Sequence, residues 1–237
     1  MYIVFLVLLI VYMLLFPIRY ILKAKKSKNI ARTEEMRLKG YRNGTIEFWV
    51  GVAVVLIMVL IGSISLADIG FGRLSFNHNF WFTVITLSLS GIMLVYNLYL
   101  LISTLASKKV REKNKAELTE DKVADVIPRT KKEKRLYLLF IFSSAVSEEV
   151  VCRGFTVFLL QTVFPSIPIF LIILIPSMLF GIGHIWQGLE GVIECGLVGA
   201  LFMCLFLVTG SLLLPIILHF ICDLPTTFLL SEEPISA

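Results

Sequence analysis

Residues 136–164 read LYLLFIFSSAVSEEVVCRGFTVFLLQTVF. The run is apolar enough to sit in lipid, yet Glu148, Glu149 and Arg153 lie inside it. Each ionised side chain at the centre of a span costs roughly 2.5–3.5 kcal/mol on insertion scales, so such groups face a cavity or one another and carry function. Beyond Arg135, Arg153 is the only Lys or Arg in the chain. It is not a topogenic charge, and a buried partner is required. The stretch therefore predicts a transmembrane helix with a working interior face, and with it an all-α membrane protein.

The rest of the chain agrees. Its 237 residues are 57% hydrophobic, with a mean hydropathy of +0.88. That exceeds soluble globular composition and predicts a polytopic transmembrane helical bundle. Seven spans are expected, at 1–22, 48–69, 80–103, 136–163, 167–186, 189–209 and 211–230. The first is read as a span and not a signal peptide, because it lacks a basic leader and a small-residue cleavage site. Pro165 and Pro168, Gly188 to Gly191, and Thr209-Gly210-Ser211 punctuate the last four. Gly196, Gly199 and Ala200 lend the sixth a small face for close helix approach.

The net charge of +5 is concentrated in two segments, Arg19–Arg42 and Lys108–Arg135. Basic loops beside spans mark the cytoplasmic side and touch anionic headgroups. With both inside, the N-terminus lies outside, the C-terminus inside, and the loop around residues 70–79 outside. Thr33-Glu34-Glu35 is a helix-start signal within the first basic loop, which is expected to extend to about Gly44. Pro128 should break the second before the fourth span. Neither segment interleaves aromatic residues, which argues against nucleic-acid binding. The four cysteines all fall in apolar segments without metal-ribbon spacing and read as core fillers.

Chemistry is carried by three clusters. Residues four apart on a helix lie within ~40° of each other, whereas neighbours are turned by ~100°. Glu149 and Arg153 can therefore form an internal structural ion pair, leaving Glu148 free to react. Phe180-Gly181-Ile182-Gly183-His184 ends the fifth span. His219-Phe220-Ile221-Cys222-Asp223 lies in the seventh, where His219 and Asp223 share a face and the carboxylate can orient the imidazole. Glu148 lies ~18 Å into the fourth span and His219 ~12 Å from the outer end of the seventh, so in a ~30 Å core their depths nearly coincide. His184 falls nearer the cytoplasmic end, which predicts a pocket opening inward; His78 is out of register.

Two hydrolytic chemistries use such a set. Glu148, His184 and His219 could bind a divalent metal such as zinc, whose water becomes the nucleophile. Alternatively, Glu148 acts directly as general base while the histidines polarise the scissile carbonyl. A binding protein or a proton-coupled transporter with relay carboxylates is the reading from another class. The matching halves with broken helices usual in transporters are not visible here. A Cys152 nucleophile activated by Arg153 is disfavoured because adjacent residues diverge on a helix.

Glu148-Glu149-x-x-x-Arg153, Phe180-x-x-x-His184 and His219-x-x-x-Asp223, in that order, resemble the CPBP family of intramembrane proteases. The family includes type II CAAX prenyl endopeptidases and bacteriocin-immunity (Abi) proteins. The lead-in Thr209-Gly210-Ser211-Leu212-Leu213-Leu214-Pro215-Ile216 is similar too. The resemblance covers 136–230, which it marks as a four-span catalytic core behind a three-span N-terminal region, 1–135. It implies an intramembrane endopeptidase of the plasma membrane that cleaves a membrane-embedded or lipophilic peptide or protein. Glu148 would activate water with help from His184, and His219 with Asp223 would complete the oxyanion or metal site. Many members carry Asn where this chain has Asp223; an ionised Asp only accepts hydrogen bonds, which favours orienting His219 over donating to an oxyanion. A non-catalytic immunity or peptide-binding role remains the alternative.

Overall fold

Thr33 starts the first fully described helix for a plain chemical reason. Its hydroxyl accepts from the Met36 amide, and Glu34 and Glu35 follow in the first turn, where the unpaired N–H groups favour negative charge. The helix, α1, is Glu34–Leu60. The computed structural model describes residues 2–5, 7, 8, 11, 15, 32–76, 78–119 and 126–230. The expected span at 1–22 lies mostly outside them, although the residues of it that are described are helical.

Asn79 caps α2, Phe80–Ala106, accepting from the Trp81 and Phe82 amides. The basic helix α3, Lys108–Thr119, follows at once. Thr130 and Glu133 then form a reciprocal capping box that starts α4, Lys131–Glu149. A π turn, Val150–Phe155, leads without a break into α5, Thr156–Val163. Pro168 caps α6, Ile169–Gly183. Next come α7, Leu189–Thr209, and α8, Leu213–Asp223, with a 3-10 turn at Leu224–Phe228. Among the described residues there is no strand, only an isolated bridge between Phe71 and Ser211.

By length and composition, α1, α2 and α7 can each cross a membrane. Helices α6 and α8 with its 3-10 extension are apolar but shorter. The polarity of α2 is that of a lipid-embedded helix: its buried residues are Thr86, Ser90, Asn97 and Thr104, while Ile92, Val95 and Ile102 are exposed. Small polar residues inside and apolar ones outside suit a bundle solvated by acyl chains.

Two element readings are corrected. Residues 34–44 belong to α1 and not to a loop, because the Thr33 cap and the first-turn acids begin the helix there. The same helix stops at Leu60, short of the expected end at Ile69. Gly62 takes φ +70°, and Ser65 and Asp68 exchange backbone-to-side-chain bonds of 2.7 and 3.2 Å, turn chemistry that ends regular structure. The final expected span, 211–230, holds only the 11-residue α8 before the tighter turn.

Helix α1 is seated firmly on α4. Trp49 Nε1 donates to Ser143 Oγ at 3.0 Å, and Ser147 Oγ donates to the Phe48 carbonyl at 2.7 Å. At Gly44 a Cβ would lie 2.5 Å from the Phe140 ring, so only glycine admits this contact unchanged. At one end Arg37 Nε meets Glu133 Oε1 at 2.6 Å, with Glu133 Oε2 taking the Arg129 and Thr130 amides at 2.7 and 2.8 Å. These contacts hold the helix that carries Glu148 and Glu149.

Candidate active site

The two glutamates close α4, and the π turn begins at the next residue. All six residues of that turn are buried, and the Thr156 hydroxyl donates to the Val151 carbonyl at 2.7 Å, five residues back, as a widened ladder permits. π turns inside α-helices frequently occur at functional sites. Here the turn still leaves Arg153 Nη1 3.1 Å from Glu149 Oε1, with both side chains essentially inaccessible.

Arg153 has further company. Its Nη2 donates to the Gly199 carbonyl at 3.4 Å. Its guanidinium carbon lies 4.3 Å from the Phe180 ring centre and 5.7 Å from that of Phe202. A carboxylate, a carbonyl and two π faces thus replace water around a buried cation, the kind of compensation burial demands. Gly199 has a part in this, since a Cβ there would sit 3.0 Å from Phe180 and 3.3 Å from Nη2.

From α8, His219 reaches the same carboxylate. Nδ1 lies 2.8 Å from Glu149 Oε1, while Nε2 lies 3.7 Å from Glu148 Oε2 and 3.7 Å from Asp223 Oδ2. Ser144 Oγ donates to Glu148 Oε1 at 2.8 Å. The imidazole is therefore bracketed by three carboxylates, with Phe202 and Phe180 packed at 5.4 and 6.3 Å between ring centres. Accessibility separates the acids: Glu149 is 0% exposed, Glu148 19% and Asp223 38%. The reachable oxygens are those of Glu148 and Asp223.

The structure redistributes one task expected of Asp223. Glu149 holds the imidazole through Nδ1, and Asp223 stands near Nε2 on the accessible side. Glu149 is thus more than half of an ion pair: one oxygen joins the arginine of its own helix to the histidine of another. Sequence spacing could not reveal this contact, because it depends on how α8 is docked.

His184 caps α6. Its Nδ1 is 2.9 Å from the Phe180 carbonyl and its ring lies 4.7 Å from the Phe180 ring. No hydrogen bond or ion pair joins it to Glu148, His219 or Asp223; it is linked to them through Phe180, which touches both histidines and Arg153. Among the described residues no three His, Cys, Asp or Glu side chains are gathered so as to hold a metal ion. The trio Glu148, His184 and His219, as arranged here, does not fit one. His78 packs on Phe82 in the α1–α2 loop. Cys152 lies in the apolar core with Val150, Val151 and Phe155, and all four cysteines are free thiols.

Sequence reasoning did not single out Ser144, Phe202 or the π turn, and it read Gly199 only as part of a small face for helix approach. Ser144 carried a signal, standing four residues before Glu148 on the same face. The others act through tertiary contacts and carried none.

A search of curated proteins and one of solved structures each found no match. Residues 133–225 match the family model described as Type II CAAX prenyl endopeptidase Rce1-like. The matched stretch opens at the acid of the α4 capping box and closes just after Asp223, so it contains every residue of the cluster around His219. Over residues 133–225 the chain is similar to this family, which supports its reading as a CPBP-type membrane protease.

Proposed function

We propose that the protein hydrolyses a peptide bond in a membrane-associated peptide or protein, with Glu148 as the base that activates water. The observation that carries this reading is the pairing of Glu148 Oε2 with His219 Nε2 at 3.7 Å while His219 Nδ1 is taken by buried Glu149. Ser144 engages Oε1 of Glu148, so Oε2 is the oxygen left for water. A water held there gives its proton to Glu148 as its oxygen bonds the scissile carbonyl carbon. His219 donates to Glu149 through Nδ1–H. In this mechanism His219 acts as the imidazolium, and its Nε2–H stabilises the developing oxyanion. Collapse of the tetrahedral intermediate breaks the C–N bond, and the proton on Glu148 passes to the departing amine.

Asp223 Oδ2 stands 3.7 Å from Nε2 in the resting site, beyond hydrogen-bond reach, and leaves that donor to the oxyanion. His184, anchored by Nδ1 to its own helix, keeps Nε2 for the substrate or the attacking water once the chain is bound. No step is routed through a metal, since the arranged residues do not fit one. The wider arrangement we favour has seven spans, N-terminus outside and C-terminus inside in a plasma membrane, a pocket opening to the cytoplasm, and lipid and a lipophilic peptide as the partners.

The test is cleavage of a quenched-fluorescence peptide library by purified protein in lipid nanodiscs. Glu148→Gln should lose about 10²–10⁴-fold in rate, the range for removing a general base. His219→Ala should lose activity as well, and a chelator should leave the wild type unaffected. Cleavage that survives Glu148→Gln in a protease-free preparation would sink the mechanism. Loss with chelator, restored by zinc, would replace it with a metal-dependent one. Peptide binding equal in wild type and Glu148→Gln, with no cleavage by either, would favour a binding role.

A further inference from the structure

The loop between α1 and α2 is hydrogen-bonded to the α7–α8 turn and packs against the π turn. The Leu212 amide donates to the Gly70 carbonyl at 2.9 Å, and the Ser75 amide to the Thr209 carbonyl at 2.9 Å. Phe71 and Ser211 form the bridge between them. These bonds tie the loop to the turn that launches α8, the helix of His219 and Asp223.

On its other side the loop backbone rests on the π turn. A Cβ at Gly154 would lie 2.4 Å from the Ile69 carbonyl oxygen and 2.9 Å from Leu212 Cδ1, so glycine is what allows backbone to meet backbone there. Gly70 has φ +89°, and a Cβ on it would fall 2.4 Å from the Phe206 ring. Ile69 is buried at 1% exposure. A surface connection has no need of such fit.

The contacts close into a ring. One arm runs from Ile69 through Gly154 to the adjacent Arg153, then to Glu149; the other runs from Gly70 through Leu212 along α8 to His219. The ring is completed by the 2.8 Å contact between Glu149 and His219. Glu149 Oε2 has no hydrogen-bond partner among the described residues, so the carboxylate is aligned through Oε1 alone and nothing else corrects its position if an arm shifts.

We propose that residues 63–76 are a positioning clamp for catalysis: the Ile69–Gly70 backbone, wedged between Gly154 and Leu212, sets the approach of His219 to Glu149 and Glu148. The inference rests on the reading of Glu148 and His219 given above. Gly154, Gly70 and Asp68 are positioning residues, since none reaches the substrate.

The experiment uses full-length protein in nanodiscs with two readouts. The chain has three histidines, so ¹⁵N-histidine NMR resolves the His219 ring, assigned by its loss in His219→Ala. Gly154→Ala, which pushes Ile69 off the π turn, should move the His219 Nδ1–H signal. It should also lower kcat on a cleavable library peptide by roughly 10- to 100-fold, as small misplacements of catalytic groups do. KM should stay within about twofold, because the interaction lost belongs to the transition state. Asp68→Ala, an exposed change that loosens the loop without touching the core, should act in the same direction more weakly; it keeps the test open if Gly154→Ala fails to fold. An unmoved His219 signal in both variants, or KM rising with kcat unchanged, would overturn the clamp. Cleavage persisting in Glu148→Gln would instead overturn the reading of the base, and the NMR arm would still judge the clamp.

Discussion

Arg153 shows how a single residue can be indispensable to a site it does not serve chemically. It sits beneath Glu149 at 3.1 Å, and its removal would leave a buried carboxylate facing only His219. Breaking a buried pair from one side typically costs about 3–5 kcal/mol, whereas removing both charges together can be nearly neutral. Arg153→Met should therefore destabilise the protein by about 3–5 kcal/mol, and Glu149→Gln with Arg153→Met should recover much of that loss. Thermal unfolding of the two single variants and the double variant in one detergent measures the coupling. The double variant should be folded yet poorly active, since His219 loses the acceptor that orients it. Strict additivity would show that Glu149 and Arg153 are not coupled.

At the scale of elements, the seating of α1 on α4 has its own pH signature. Burial by itself opposes ionisation of Glu133, but the Thr130 and Arg129 amides and the Arg37 guanidinium outweigh it and hold the carboxyl below its ordinary value. A carboxyl with a lowered folded-state pKa binds fewer protons than in the unfolded chain. Its contribution to stability is present above the ordinary carboxylate range and is lost as pH falls through the lowered value. Acidification should therefore lower the unfolding temperature of the wild type in that window, and Glu133→Gln should start lower and lose that part of the slope. Identical slopes in a melting series from neutral to acidic pH would show that the capping box and Arg37 do not stabilise the ionised form. Thr130 and Glu133 stand at capping-box spacing, a signal not singled out in the sequence although legible there. Arg37, remote in sequence, was not legible.

For the molecule as a whole, charge placement predicts the orientation. The basic α3 should face the cytoplasm and the 61–76 loop the outside. In a variant with its four native cysteines replaced, a single cysteine at Lys109 should be shielded from a membrane-impermeant maleimide in intact cells, and one at Ser65 should be labelled. The reverse pattern would invert the topology, together with the proposed inward opening of the site.

What the sequence determined by itself was set by composition and helical period. Lipid-grade apolar runs can only be helical in a bilayer, and charges inside them must find one another, so the all-α class and the Glu149–Arg153 pair were readable from residues four apart. The order of the three clusters was readable too, because it is written along one dimension. The π turn, the capture of His219 by Glu149 and not Asp223, the anchoring of His184 to the Phe180 carbonyl, and the inward fold of the α1–α2 loop were decided by tertiary structure. Each depends on the angle at which one helix docks on another, and that angle follows from contacts such as Gly154 on Ile69 and Gly44 on Phe140, between residues that no local spacing relates.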